Sequence, residues 1–445
     1  MRWQEIAALA ALLVIACGGG SSTTTSSAEQ LPALKNPVTI TFWHAMHGGS
    51  QKPTITQLAD QFNSSQSLVK VNLVDQVDYP TLLSKTVASI AAGQPPTAAQ
   101  CYTGWADQYN KKKALADITQ FINAKDGFSQ GDLKDFFAPM LNDGKLNGKQ
   151  YTIPFNKSVY VLYYNEEMFK EAGLPAPPKN WDEFVTDAKK LATYNFTSPQ
   201  TRSQDGKHWG TDFSQNQSYE NLWESQVVEN GGTLVNGDKT KTAFNSSAGR
   251  QSIQMWADLV KSGVAHRVSG FDDEADLGSK HIGMMVNTIA GYSFVKKSVG
   301  DGFMLKTALV PAGTKSQGVE MAGTNVCTFS KATPDEQHGA FLWTKFLTSK
   351  QSTELWSEKT GYMPVRQSAA QDMKTTFYNS NPDGPNIQTA VTQLPRAFSG
   401  PPLAVWDESM SDILIELVNI VDGKKSDSQG LSDAAKKADD LLANG

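Results

Sequence analysis

Val38-Thr-Ile-Thr-Phe-Trp43 alternates polar and apolar side chains and is rich in β-branched residues, so it reads as a strand. His44 to Ser50, with Gly48 and Gly49, is a loop at its carboxyl end. From Pro53 to Ser64 the residues Ile55, Leu58, Ala59 and Phe62 recur at the spacing of an amphipathic helix. Val69-Lys-Val-Asn-Leu-Val74 is the next strand, and Thr81 to Ala92 the next helix, stopped by Gly93 and Pro95-Pro96. Ala98 to Tyr102 is a third strand, ending at Thr103-Gly104-Trp105. This alternation predicts an α/β layer structure with a largely parallel sheet. Ligands of such sheets gather beyond the carboxyl ends of strands, and His44, Tyr79 and Trp105 all fall just after such ends.

The same style continues toward the C-terminus. Helical patterns run from Asn180 to about Tyr194, Tyr219 to Glu229, Ser246 to Lys261, Pro334 to Ser349 and Ser352 to Glu358. Two more close the chain, from Glu408 to Val421 and from Ser432 to Leu442. Ile282 to Val286 and Lys306 to Pro311 read as short strands. No internal repeat is present.

In the other direction, Arg2 precedes an uncharged apolar run from Ile6 to Ala16. It is shorter than the roughly 20 residues a membrane-spanning helix needs and has the length of a signal-peptide core. Val14-Ile15-Ala16-Cys17 resembles the lipobox of bacterial lipoproteins, in which the cysteine is acylated and becomes the mature N-terminus. Residues 1–17 are therefore expected to be a lipoprotein signal peptide with Cys17 as lipid attachment. Residues 18–35, opening on the Gly, Ser and Thr of Gly18 to Ser27, form a flexible tether. The alternative is a buried cysteine after an apolar helix.

The remaining roughly 410 residues exceed one ordinary core and suggest two domains. A net charge of −5 offers no basic field for nucleic acid. Beyond Cys17 only Cys101 and Cys327 remain, too few for a disulfide framework or a four-thiolate zinc site. They are free thiols or a single disulfide. Ten Trp and twelve Tyr supply rings able to stack on sugars.

Signs of catalysis are missing. His44 and His47 lie in a Gly-containing loop with no adjacent carboxylate or cysteine, and read as incidental rather than as metal ligands. Gly423-Lys424-Lys425-Ser426 has the end of a phosphate-binding loop, but Val418 stands where its first glycine is needed. Asp272-Asp273-Glu274 reads as a solvated helix start. No nucleophile or acid/base set is assembled, and no cofactor or metal is expected.

Four stretches carry a family resemblance. They are Thr39-Ile-Thr-Phe-Trp-His-Ala-Met46; Pro154-Phe-Asn-Lys-Ser-Val-Tyr-Val-Leu-Tyr-Tyr-Asn165 with Phe169 to Pro175 and Pro178 to Phe184; Lys359-Thr-Gly-Tyr-Met-Pro364; and Phe377-Tyr-Asn-Ser-Asn-Pro382. In this order they resemble the family 1 extracellular solute-binding proteins of ABC importers. Within the maltose-binding-protein cluster they are most similar to the glycerol-3-phosphate binders. The resemblance implies a two-lobed α/β periplasmic-binding-protein fold of type II, with discontinuous lobes joined by a hinge. Crossings are expected near Phe155 to Tyr160, Phe303 to Val310 and Gly361 to Arg366. Lobe one would combine 36–156 with 306–362, and lobe two 160–303 with 363–440. It further implies an extracytoplasmic, lipid-anchored monomer that captures a small solute, catalyses nothing and delivers its load to permease subunits. A receptor serving a sensor kinase is the variant of this reading, and an enzyme on the same scaffold its competitor.

Carried over residue by residue, the resemblance places Tyr79, Ser158, Thr288, Gly323 and Tyr362 at ligand contacts. Two departures bear on the ligand. Thr103 stands where the glycerol-3-phosphate binders have a glutamate, and Gly400-Pro-Pro-Leu403 stands where they have a phosphate-pairing arginine. Arg396 is the nearby substitute, but a changed ligand is the expectation. Trp105 and Trp406 flank these losses and suit stacking on a pyranose. The expected solute is a neutral sugar or oligosaccharide, with glycerol 3-phosphate or a glycerophosphodiester as the alternative.

Overall fold

The structure, a computed structural model, describes residues 30–444; the expected signal peptide, Cys17 and most of the tether lie outside them. Strands β1 (Val38–His44), β2 (Val69–Asp75) and β3 (Ala98–Cys101) pair in parallel with β1 in the middle. The connecting helices Gln51–Ser65 and Tyr79–Ala91 supply the crossovers that parallel strands need. Asp78 fixes the start of the second helix, its Oδ1 accepting from the Thr81 N–H at 2.7 Å. Strands β4 (Lys145–Leu146) and β5 (Lys149–Gln150) form a small hairpin.

The long β6 (Thr152–Asn165) follows. β7 (Thr211–Gln215) and β8 (Ala265–Ser269) make a separate parallel pair. β9 (Met284–Thr288) and β10 (Leu305–Ala308) run antiparallel to the second half of β6. β11 (Val319–Thr328) inserts antiparallel between β3 and β6, and β12 (Ala397–Phe398) pairs its beginning. The sheet order is β10-β6-β11-β3-β1-β2. The expected parallel arrangement thus covers the first three strands, whereas β11 runs antiparallel to both β3 and β6 because it returns from the other lobe.

β6 is the central connector. Thr152 to Val159 pairs with β11, and from Tyr160 its partners become β9 and β10. The first crossing lies at this change of partner. The third lies at Tyr362–Met363, where Met363 bridges Lys157. The second differs from the expected Phe303 to Val310. Thr307 bonds Asn386, Val310 bonds Gln393, and the Lys315 and Ser316 amides bond the Glu229 carbonyl. Residues 306–318 therefore pack with the second lobe, and the crossing falls in β11 near Met321 to Gly323, because it is there that β11 exchanges β12 for β6. Gly323 has φ +88°, and a Cβ there would sit 2.0 Å from the Asn156 carbonyl oxygen, so only glycine fits the crossing.

Ile40, Phe42, Leu58, Phe62, Trp343 and Trp356 build one core layer of the first lobe. Trp105, Tyr109, Leu115 and Phe329 build another around a Cys101–Cys327 disulfide that ties β3 to β11 across a Cα separation of 6.0 Å. In the second lobe Trp181, Phe184, Phe213, Tyr219 and Trp256 pack ring against ring. The acidic run is a helix start over Asp272–Gly278, but only partly solvated. Asp273 is buried and accepts from Asn287 Nδ2 at 2.8 Å, while Asn287 Oδ1 accepts from the Thr288 N–H.

Candidate functional site

A cavity of about 240 Å³ lies where the crossings meet. The volume is below the roughly 300–1,000 Å³ of drug-sized sites and suits a small polar solute. One wall comes from the first lobe: Tyr79 at the start of its helix, Tyr102 and Thr103 after β3, and Tyr362 after the helix Lys350–Thr360. The floor is Ser158 and Tyr160 of β6 and Met321 to Gly323 of β11. The facing wall holds Asn216, Asn221, Thr288, Trp406 and Asp407, with Phe271, 69% exposed, presenting its ring to the cavity.

Seven of the nine expected contacts, Tyr79, Thr103, Ser158, Thr288, Gly323, Tyr362 and Trp406, are brought together in this lining. Two are not. Trp105 is buried behind it, its ring 4.9 Å from Tyr102 and 6.3 Å from Tyr79, because its place in the core leaves no face for a solute. His44 is buried at the end of β1, its Nδ1 accepting from the Met46 N–H. Burial pushes the imidazole down to about 4, so it stays neutral. Arg396 is exposed and outside the lining.

Hydrogen bonds organise the hinge side. Asn156 Nδ2 donates to the Tyr79 hydroxyl at 3.0 Å, and Tyr79 and Tyr362 hydroxyls stand 3.4 Å apart. Asn156 Oδ1 accepts from Gln100 and Thr324. Thr288 Oγ1 donates to Ser158 Oγ at 2.9 Å, a bond between expected contacts from two different strands. Lys157, 1% exposed and not itself in the lining, donates to Asp143 Oδ2 at 2.5 Å and to the Gly323 carbonyl at 3.2 Å, both of them lining groups. Thr103 and Asn325 donate to the same carboxylate oxygen. Burial alone would raise Asp143, but the Lys157 charge and these donors outweigh it and hold the carboxyl below its usual range.

The remaining lining charges are acidic. Glu320 and Asp407 are each pushed up to about 7 by burial; for Glu320, hydrogen bonds with Glu224 and Asn221 oppose the rise and the Asp407 and Asp143 charges add to it. Behind them Glu220 and Glu224 are pushed well above the usual range by burial and by these neighbours. Trp406 Nε1 donates to Glu224 Oε1 at 3.0 Å. Among the described residues no Lys, Arg or His lines the cavity. In an adjoining groove Lys145 is exposed and donates to Asn142. The sequence reading missed Asp143, Glu320 and Asp407. Only Asp407, beside Trp406, had a local pointer.

Comparisons with known proteins agree on the class. The sequence pattern of a family described as bacterial extracellular solute-binding protein matches residues 57–386. The sn-glycerol-3-phosphate-binding periplasmic protein UgpB of Yersinia enterocolitica is 27% identical over 416 residues, covering 91% of this chain and 92% of that protein. The protein of the same name from Brucella melitensis is 27% identical over 91% of this chain and 93% of its own length. Among solved structures, UgpB from Mycobacterium tuberculosis in complex with glycerophosphocholine superposes with a TM-score of 0.79 at 20% identity, over 92% of this chain and 99% of that one. The GacH receptor of Streptomyces glaucescens, solved unliganded and with acarbose, superposes with 0.77 at 20% identity, over 92% and 100%.

Proposed function

Because the chain belongs to the bacterial extracellular solute-binding proteins, we propose that it captures a sugar or oligosaccharide in the cavity between its lobes and delivers it to the permease of an ABC importer. It works outside the cytoplasm as a carrier and turns nothing over. The observation that carries the ligand class is the lining: hydroxyls of Tyr79, Tyr362 and Ser158, amides of Asn216 and Asn221, the Trp406 and Phe271 rings, and no basic side chain among the described residues. Polar groups of this kind bond sugar hydroxyls, while rings cover the apolar sugar face.

A glycerol phosphate or glycerophosphodiester is the second reading, favoured by the names of the relatives. Its phosphate would need fixed positive donors, and leaving such a charge unpaired in a closed cleft costs several kcal/mol. Acidic side chains where those donors should be favour the sugar. In the same reading the mature protein is a monomer that begins at a lipid-bearing Cys17, which mass spectrometry of the native protein tests.

The ligand experiment is a melting-temperature screen of sugars, oligosaccharides and glycerol phosphates, since a solute that binds only the folded state raises the transition. Sugars are expected to raise it and glycerol 3-phosphate to leave it unchanged. A shift with glycerol 3-phosphate alone would overturn the sugar reading.

A further inference from the structure

The lining gathers acidic groups and, among the described residues, no cation. Glu320 is 6% exposed and Glu224 fully buried, and the two carboxyls hydrogen-bond one another, with Asn221 also bonding Glu320. Asp407 Oδ2, in the same lining, is shut from solvent without a hydrogen-bond partner. A buried carboxylate oxygen left unsatisfied is unfavourable and rarely retained without a use. Glycine keeps this corner open on two sides. A Cβ on Gly400 would stand 2.7 Å from Glu320 Oε1, and one on Gly104 would stand 2.7 Å from Asp407 Oδ2. The Tyr102, Tyr160 and Trp406 rings share the same lining. The nearest buried cation, Lys157, is already paired with Asp143.

We infer that the solute carries a positively charged nitrogen, which seats between Glu320 and Asp407 against these rings. This rests on the sugar-receptor reading and narrows it, an amino sugar being the form that satisfies both. An ammonium group supplies N–H donors to the Glu320 and Asp407 carboxyls that line the cavity, and a cation beside aromatic faces gains from their quadrupole. A quaternary ammonium shares the charge but cannot donate, so it would use the rings and the field alone.

Calorimetry on the folded, full-length mature protein separates these sources with matched pairs: glucosamine against glucose, and choline against its uncharged isostere 3,3-dimethylbutanol. Glucosamine is expected to bind about tenfold or more tighter than glucose, a difference of about 1.4 kcal/mol. Glu320→Gln and Asp407→Asn, each tested alone, are expected to collapse that ratio toward unity. Melting curves establish that each variant is folded, and either one suffices for the reading. A preference confined to choline moves the assignment to a quaternary ammonium. If neither cation outbinds its neutral partner, or if the preference survives both substitutions, the inference is overturned. Binding of glucose in that case would leave the sugar-receptor reading standing, which falls only when sugars of both kinds fail to bind.

Discussion

Replacing Lys157 by Met removes the cation paired with Asp143. The ion pair is 2.5 Å long, and its side chains are 1% and 7% exposed, so water cannot take over when the lysine goes. Thr103 and Asn325 still donate to the carboxylate, but both are neutral. Truncating one partner of a buried pair costs about 3–5 kcal/mol because the other charge remains buried. The pH dependence carries a distinctive sign. In the native protein Asp143 titrates below its usual range. Its contribution is therefore present above the unfolded carboxyl value of about 3.9, and is lost as pH falls through the lower folded value. In Lys157→Met only neutral donors oppose the burial of Asp143, the folded carboxyl is expected to rise above the unfolded one, and stability to fall as pH climbs from about 4. Urea midpoints of native and variant protein measured from pH 4 to 7 should therefore diverge with increasing pH. The double variant Lys157→Met/Asp143→Asn should recover part of the loss. A gap that stays below about 1 kcal/mol at pH 7, or that does not change with pH, would refute the reasoning.

Trp406→Ala should weaken solute binding by about 1–3 kcal/mol, whereas Trp105→Ala, which reaches the cavity only through Tyr102 and Tyr79, should weaken it less; calorimetry with the identified sugar reads both. Gly323→Ala places a Cβ against the Asn156 carbonyl at a positive φ and should destabilise the fold by about 2–4 kcal/mol, measured by denaturation. Glu320 and Asp407, pushed up to about 7, hold protons in the folded state that the unfolded chain releases above about 4. The carboxylates facing them, Glu220 and Glu224, shift in the same direction. The ligand-free protein should thus melt at a lower temperature at pH 8 than at pH 5, and a rise over that interval would contradict the assignment.

The longer helices and the first two strands were legible because each buries one face, so its period shows in the sequence. β3, buried along its whole length, was placed by its neighbours, and short helices such as Thr103–Lys111 and Glu166–Glu171 were not read. The two hinge strands were not legible either. β6 carries Asn156, Lys157 and Ser158 in its centre, and β11 carries Gly323, Thr324 and Asn325, all enclosed by protein. Polar residues that are buried because they bond one another follow neither the alternating nor the apolar pattern of a strand. The Pro154 to Asn165 segment was visible only through its resemblance to a family. For the site, hydroxyl and ring positions sat within quotable motifs. Glu320 and Asp407 did not, since tertiary folding alone brings these distant residues together, and the burial that raises their protonation leaves no mark on the local sequence. Trp105 misled for the complementary reason: a tryptophan after a strand end looks the same whether it faces a cleft or a core.

The place of β11 between β3 and β6 also dictates the order in which the molecule can be completed. As the chain emerges from its N-terminus, β3 and β6 exist long before the strand that separates them. Until residue 328 is available both present unpaired edges, the kind of surface that invites association with other chains. The Cys101 thiol must wait over the same interval, since its partner arrives on that strand. Strand insertion and thiol pairing thus form a single late event, and contacts this distant in sequence fold slowly. A chain whose sheet closes on so late a strand gains its solute cavity only at that step, because β11 supplies part of the cavity floor.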